Sequence, residues 1–313
     1  MCLTARVSKR IDFAKERRAQ GRSLKTAARE LARLMQPVAQ QHGVDLQARL
    51  NEALAQKSEE RRLLAERLQE SVVPLFIGDS SGQPDRIGSC VLVRLDSDLF
   101  AFSAAHVIRQ VARRRLLAPS KAKGGKLLPL PPCTAHLISS GNHDDLDVGV
   151  LVLPAHQLGP FEQHVFLAGT EIDQNDRPDD QGLASFYFVL GYSASRTQVK
   201  VSRAERHIHQ QSFHCSTSPV DAAEYLQEKM SQADHVLLDF DHKEIEIGGK
   251  RVNQPRLQGV SGGGVFQISR ETNQGPLVAI ATQNLRNSRL IVGTRIKHFL
   301  AMARELKAKP GQS

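Results

Sequence analysis

The sequence predicts a mainly β chain behind a helical N-terminal segment. From about residue 72 the chain runs in short β-branched stretches bounded by turns, with little helix between them. Such a pattern indicates an antiparallel sandwich or barrel, not a βαβ sheet. Before that point the apolar residues recur with helical spacing. Length agrees with this division, because 313 residues suffice for one large domain or two ordinary ones and can bury a sizeable core without staples.

The helical segment covers residues 1–70. Leu24, Ala27, Ala28, Leu31, Leu34, Met35 and Val38 follow i, i+3, i+4, i+7 spacing, with Ser23 as a candidate N-cap. Pro37 ends or kinks that helix, and Gly43 punctuates. A second stripe follows in Leu46, Leu50, Leu54, Leu63, Leu64 and Leu68, with Glu59 to Arg67 supplying a mixed polar face. An αα-hairpin is the simplest arrangement. Strands are expected at Val72–Ile77, Ile87–Leu95, Leu99–Phe102, Ala135–Ser139, Val148–Leu153, Ser185–Leu190, Thr197–Ser202, His235–Phe240, Leu277–Thr282 and Leu290–Val292. Asp96-Ser97-Asp98 signals a hairpin turn. Helices are expected at about 219–231 and 296–307, and loops at 119–132 and 173–182.

Composition removes several classes. No apolar run is long enough for a membrane span, and residues 1–6 lack the apolar core of a secretory signal. Cys2, Cys90, Cys133 and Cys215 lie far apart with no CxxC pair, which argues against a disulfide scaffold and fits thiols in a reducing cytoplasm. The net charge is +9, of which residues 1–35 carry +7, with ten Lys/Arg against three Asp/Glu. That charge could steer the chain to nucleic acid, an anionic surface or an acidic partner. Aromatics are only 5% and Trp is absent, so no stacking platform for single strands is expected.

Three segments carry chemistry. Phe102-Ser103-Ala104-Ala105-His106-Val107 follows a strand, Asp145-Leu146-Asp147-Val148-Gly149-Val150 opens one, and Gly259-Val260-Ser261-Gly262-Gly263-Gly264 lies between two. Acyl transfer needs a hydroxyl, a base to take its proton and an acid to orient the base. A glycine run at the hydroxyl lets backbone N–H groups converge on an oxyanion. Asp144, Asp145 and Asp147 compete for the acid role. Gly259-x-Ser261-x-Gly263 also fits the nucleophile elbow of α/β-hydrolases, but only His298 follows Ser261 and the βαβ pattern is missing. His207, His209, His214 and Cys215 hold metal-ligand residue types without a catalytic zinc motif, so an ordinary surface segment is preferred and no metal is assigned. Arg113–Arg115 and the Lys121–Lys126 loop lack phosphate-cradle spacing and read as solvated charge.

These segments resemble the chymotrypsin/trypsin-like serine peptidase family over about 72–305, and most of all its intracellular bacterial members. Ser-Ala-Ala-His stands for the usual Thr-Ala-Ala-His, while Val260 and Gly264 depart from the Asp and Pro of Gly-Asp-Ser-Gly-Gly-Pro. Val278–Asn284 resembles the strand lining the substrate cleft, and Gly293-Thr294-Arg295-Ile296 the lead into the terminal helix. The resemblance implies two antiparallel β-barrels, at about 72–157 and 183–300, within a peptidase domain at 71–313. It implies His106 as general base, Asp147 as its orienter, Ser261 as nucleophile, and the N–H groups of Gly259 and Ser261 as the oxyanion hole. Thr282 takes the place of a serine that supports the aspartate, and Gln283 and Asn284 border the substrate. No cofactor is required. Pro255 stands where an acidic residue reads basic side chains, so an Arg/Lys preference is not supported.

The expectation is therefore a cytoplasmic bacterial serine endopeptidase acting on protein substrates. The alternative is a non-catalytic or nucleic-acid-associated regulator using the barrel as a scaffold. Residues 1–70 are read first as a docking or self-association module, second as a helix-turn-helix nucleic-acid binder, and third as a structural extension.

Overall fold

The computed structural model describes residues 45–78, 84–110, 116–131, 133–138, 146–173, 185–193, 212–240, 245–247, 250–252, 257–269 and 275–308. The chain divides into two compact units at Leu64/Ala65. The first arm of the expected hairpin, the expected strand Thr197–Ser202, and most of the expected 173–182 loop lie outside the described residues.

The second stripe forms helix α1 (Leu46–Leu68). Asp45 precedes it, and its carboxylate accepts from the Ala48 N–H at 3.0 Å, satisfying one first-turn donor. Within the helix, Arg62 grips Glu59 through two bonds of 2.8 and 2.6 Å. Of the leucines in this stripe, Leu63 is exposed while Leu64 and Leu68 are buried. No described helix is long and apolar enough to cross a membrane.

The rest is mainly antiparallel β. Strands β1 (Val72–Gly78), β2 (Pro84–Leu95), β3 (Asp98–Ser103), β4 (Leu116–Ser120), β5 (Lys126–Pro129), β6 (Thr134–Ile138), β7 (Val148–Leu153) and β8 (Leu167–Ala168) form one sheet. Its order is β5-β4-β1-β2-β3-β7-β6, with β8 beside β2 in a short parallel pair. Val73, Leu75 and Ile77 alternate onto one face of β1 and meet Cys90, Leu92, Leu99, Ala101, Leu151 and Phe161 in the core. The second sheet holds β9 (Ser185–Gly191), β10 (Phe213–Thr217), β11 (His235–Asp239), β14 (Gly264–Ser269), β15 (Leu277–Leu285) and β16 (Leu290–Arg295), in the order β10-β9-β14-β15-β16-β11. Its core includes Val189, Phe213, Val236, Leu238, Val265 and Ile291. A separate ribbon pairs β12 (Ile245–Ile247) with β13 (Lys250–Val252).

Two expectations need correction. The expected loop at 119–132 contains the end of β4 and all of β5, which pair as a hairpin closed by Gly124 (φ 60°) and Gly125 (φ 86°). Its prolines and lysines hide the strand signal, and β5 tolerates Pro129 because it is the sheet edge. The expected 219–231 helix is shorter: helix α3 spans Ala222–Glu228 and is capped by Asp221, not by Ser218-Pro219. The short helix α2 (Ala105–Arg109) directly follows β3.

The terminal helix α4 (Ile296–Ala308) leaves the second sheet and packs against β7 of the first as well as β15. Phe299 is fully buried, its ring 5.5 Å from that of Phe102. At the far end, Lys307 donates to the Leu95 carbonyl at 3.1 Å and to the Asp96 carboxylate at 2.9 Å. Helix α4 thus clamps the β2–β3 turn. Phe299→Ala should lower unfolding free energy by about 3–5 kcal/mol, as a buried aromatic truncation does. Urea denaturation checks it, and a loss below about 1 kcal/mol would show that α4 does not hold the sheets together.

Candidate functional site

His106 and Asp147 are brought together by strand register. In the β3–β7 pair Ser103 faces Gly149, and continuing that antiparallel register by two residues sets Ala105 opposite Asp147. At the start of α2, the His106 N–H is a helix donor with no partner within the helix. It donates to Asp147 Oδ1 at 3.0 Å, while His106 Nδ1 meets Asp147 Oδ2 at 2.5 Å. The carboxylate thus holds both the backbone and the ring. A carboxylate only accepts, so in the neutral ring Nδ1 is the nitrogen that carries the proton and Nε2 the one that keeps its lone pair. The His106 side chain remains 43% exposed, leaving that edge open to a reactant. The alternate acid, Asp145, lies outside the described residues.

Ser261 sits in the turn that leads into β14. Val260 N–H donates to Leu257 O at 2.9 Å, Gly263 N–H to Val260 O at 2.8 Å, and Gly262 N–H to Ala281 O at 2.7 Å. Between these engaged groups, the N–H groups of Gly259 and Ser261 have no acceptor among the described residues. Gly259 takes φ 91° and Gly262 φ 86°, a region that side chains strain. The Ser261 hydroxyl makes no hydrogen bond here, to His106 or to any other described group.

The turn is pressed onto the first sheet. Ser89, on β2, donates its N–H to Ser261 O at 2.8 Å and its hydroxyl to Gly259 O at 2.9 Å. Its carbonyl accepts from the Ser103 hydroxyl at 2.7 Å, three residues before His106. A Cβ on Gly262 would lie 1.9 Å from Ser89 O and 2.3 Å from Ser103 Oγ. A Cβ on Gly88 would lie 2.6 Å from the Val107 side chain and 2.8 Å from Ser261 O. The nucleophile candidate and the segment carrying His106 therefore flank the same stretch of β2.

The cleft candidates divide. Gln283 and Asn284 join Ser261, Leu257, Val260, Ala281 and Ile291 around a small, open depression. The Oδ1 atom of Asn284 is buried without a partner. Thr282 is not brought to Asp147: it sits at the register shift between Ala281 and Gln283, and its hydroxyl donates to Val292 O at 3.4 Å and accepts from Thr294. The bulge turns it into the core of the second sheet.

Only part of the histidine cluster is described. His207 and His209 lie outside the described residues, and His214 and Cys215 occupy successive positions of β10 on opposite faces. His214 stacks on Phe188 at 5.6 Å, and burial pushes the Cys215 thiol up to about 12. Burial likewise raises the Cys90 thiol, so neither is a ready thiolate. Arg113–Arg115 also lie outside the described residues, and Lys121 pairs with Glu70.

Sequence reasoning missed Ser89 and Ser103. Both are fully buried hydroxyls inside otherwise apolar strands, which is the one signal that could have found them. Ser89→Ala should cost about 1–3 kcal/mol, because Gly259 O loses its donor and Tyr192 N–H its acceptor. Gly262→Ala should cost about 2–5 kcal/mol through strain and overpacking. Denaturant unfolding measures both, and a neutral Gly262→Ala would show that the turn does not bear on β2. A scan of the chain against protein-family models matched none, and a search of curated proteins found no significant relative.

Proposed function

We propose that the chain is a serine endopeptidase of the trypsin-like kind, working through His106, Asp147 and Ser261. The observation that carries this reading is the double hold of Asp147 on the His106 N–H and ring, together with a turn in which the Gly259 and Ser261 N–H groups, on either side of the bonded Val260 N–H, have no acceptor among the described residues. In this mechanism the Ser261 hydroxyl attacks a peptide carbonyl and His106 Nε2 takes its proton. The carbonyl oxygen becomes an oxyanion, and the Gly259 and Ser261 N–H groups are suited to receive it. The tetrahedral intermediate collapses as the C–N bond breaks, and His106 gives the proton to the leaving amine. Water, deprotonated by His106, then attacks the acyl-Ser261 ester, releases the acid and restores the hydroxyl. Asp147 keeps the imidazolium stabilised throughout. No step calls for a cofactor.

Supporting features surround that core. The two sheets fall where the two barrels are expected, at about 72–157 and 183–300. The depression beside Ser261 has aliphatic walls in Leu257, Val260, Ala281 and Ile291 and no charged lining residue. That favours an uncharged aliphatic side chain on the acyl side of the cut. Residues 1–70 take the role of a helical module that docks a protein partner or a second copy, in a cytoplasmic bacterial setting. The runner-up is a scaffold without catalysis, and what weighs against it is the pairing of His106 with Asp147 at a position where the ring stays open.

A fluorophosphonate probe separates the two readings. It should label Ser261 in the wild type and leave Ser261→Ala unlabelled, and a protein that takes no label would sink the peptidase reading. Asp147→Asn should slow peptide hydrolysis about 10⁴-fold, because the amide favours the wrong imidazole tautomer. Steady-state rates on a leucine-containing peptide check this, and a variant within about tenfold of wild type would remove Asp147 from the mechanism.

A further inference from the structure

Arg86 is a cation without a counter-charge among the described residues, close to the candidate site. It lies on β2, two residues before Gly88 and three before Ser89. Its Nη2 donates to Ser193 O at 2.5 Å, and its guanidinium lies 5.9 Å from the centre of the Phe76 ring. Its Nε and Nη1 are buried and have no acceptor, and no described carboxylate pairs with it. Burial brings it down to about 10, the direction that a desolvated, unpaired guanidinium takes. Five fixed donors of which one is used make a fork that fits a carboxylate.

Its place in the cleft follows from the proposed proton transfers. His106 must reach the leaving nitrogen, so the leaving segment runs over the His106 side of Ser261. On that side lie Val107 and Gly88, whose own neighbour is Ser261 O. The acyl-side depression lies along β15 and β16 instead. Arg86 is two residues along β2 from Gly88 across a bulge at Ile87, at most about 7 Å away, and an extended peptide advances about 3.3 Å per residue. This places Arg86 beside the second or third residue after the scissile bond.

We propose that Arg86 is a specificity residue that binds a carboxylate on the leaving side of the cut, either an acidic side chain or a free chain terminus. The proposal rests on the peptidase reading for the meaning of "leaving side". A desolvated charge kept without a partner is a cost that a bound anion would offset.

The test uses full-length protein and a peptide series with leucine before the scissile bond. The peptides carry Glu or Gln at the second or third leaving-side position, or end there in a free carboxylate or its amide. Wild type should favour the carboxylate forms over their neutral counterparts by about 10–100-fold in kcat/KM. Arg86→Gln should bring the carboxylate peptides down to the neutral rate, and Arg86→Lys should retain part of the preference. The Glu and terminal-carboxylate arms identify which source is read. Calorimetry on Ser261→Ala with the leaving-side fragments gives a readout independent of turnover. Tighter binding of carboxylate than amide fragments, abolished in Ser261→Ala/Arg86→Gln, supports the site even if no peptide is cleaved, in which case the peptidase reading fails alone. Equal binding of both fragments, or a preference that survives Arg86→Gln, overturns the proposal. Melting temperature separates a merely structural role. Arg86→Gln should melt no lower than wild type, whereas a fall of several degrees with peptide preference unchanged would mark Arg86 as a packing residue.

Discussion

Ser89 is the residue through which the two sheets meet at the candidate site. It is fully buried, and every polar group it owns is in use. Its N–H and hydroxyl hold Ser261 O and Gly259 O, its carbonyl receives Ser103, and its hydroxyl oxygen accepts from Tyr192 N–H at 3.1 Å. These bonds join β2, the end of β3, the exit of β9 and the Ser261 turn. Buried hydrogen bonds of this kind contribute modestly when made and cost much more when one partner is lost. The arrangement therefore acts as a registration device. The sheets can align along other directions by apolar contact alone, but only one alignment satisfies the three bonds that cross from Ser89 to the second sheet.

Registration matters because the chemical groups come from different sheets. His106 and Asp147 belong to the first, where the β3–β7 register sets them side by side without help from the second. Ser261 belongs to the second and comes 114 residues after Asp147 in the sequence. Glycines make the close approach feasible, since a Cβ at Gly262 or Gly88 would collide with backbone of the opposite sheet. Helix α4 adds a second fastening, carrying Phe299 from the end of β16 onto Phe102. One fastening is polar and directional and the other apolar and large, so they resist different motions.

Much of this was legible in the residues. The short β-branched and apolar runs bounded by turns, such as Val148–Leu153, marked most strands, because a strand buried on both faces reads as a continuous apolar run. Asp147 could be preferred to Asp145 from its place before the Val148 run, and the bond to His106 is made by Asp147. What escaped was of two kinds. Strands β4 and β5 are short, each contains a proline, and a lysine- and glycine-rich turn joins them, so tertiary pairing overrode their weak propensity. Thr282 was placed by analogy of position, but a one-residue bulge in β15 redirected it toward Val292 and Thr294. A bulge leaves no mark in hydrophobic pattern, since it changes where a side chain points and not what it is.

The unpaired groups of the site have a common logic. Gly259 N–H, Ser261 N–H, Asn284 Oδ1 and two nitrogens of Arg86 have no partner among the described residues, while Val260, Gly262 and Gly263 beside them are bonded. Buried polar groups are as a rule satisfied, and each exception costs free energy in the folded state. Scattered at random over a structure, such exceptions would mean little. Here the two free N–H groups flank the candidate nucleophile, Asn284 lines the depression beside it, and Arg86 lies three residues along the strand from Ser89. A chain optimised for folding alone would close these gaps with apolar side chains or turn them to solvent. The groups beside Ser261 are of the kind an extended polar ligand completes, because a peptide brings carbonyl oxygens, N–H groups and carboxylates in regular succession along one line.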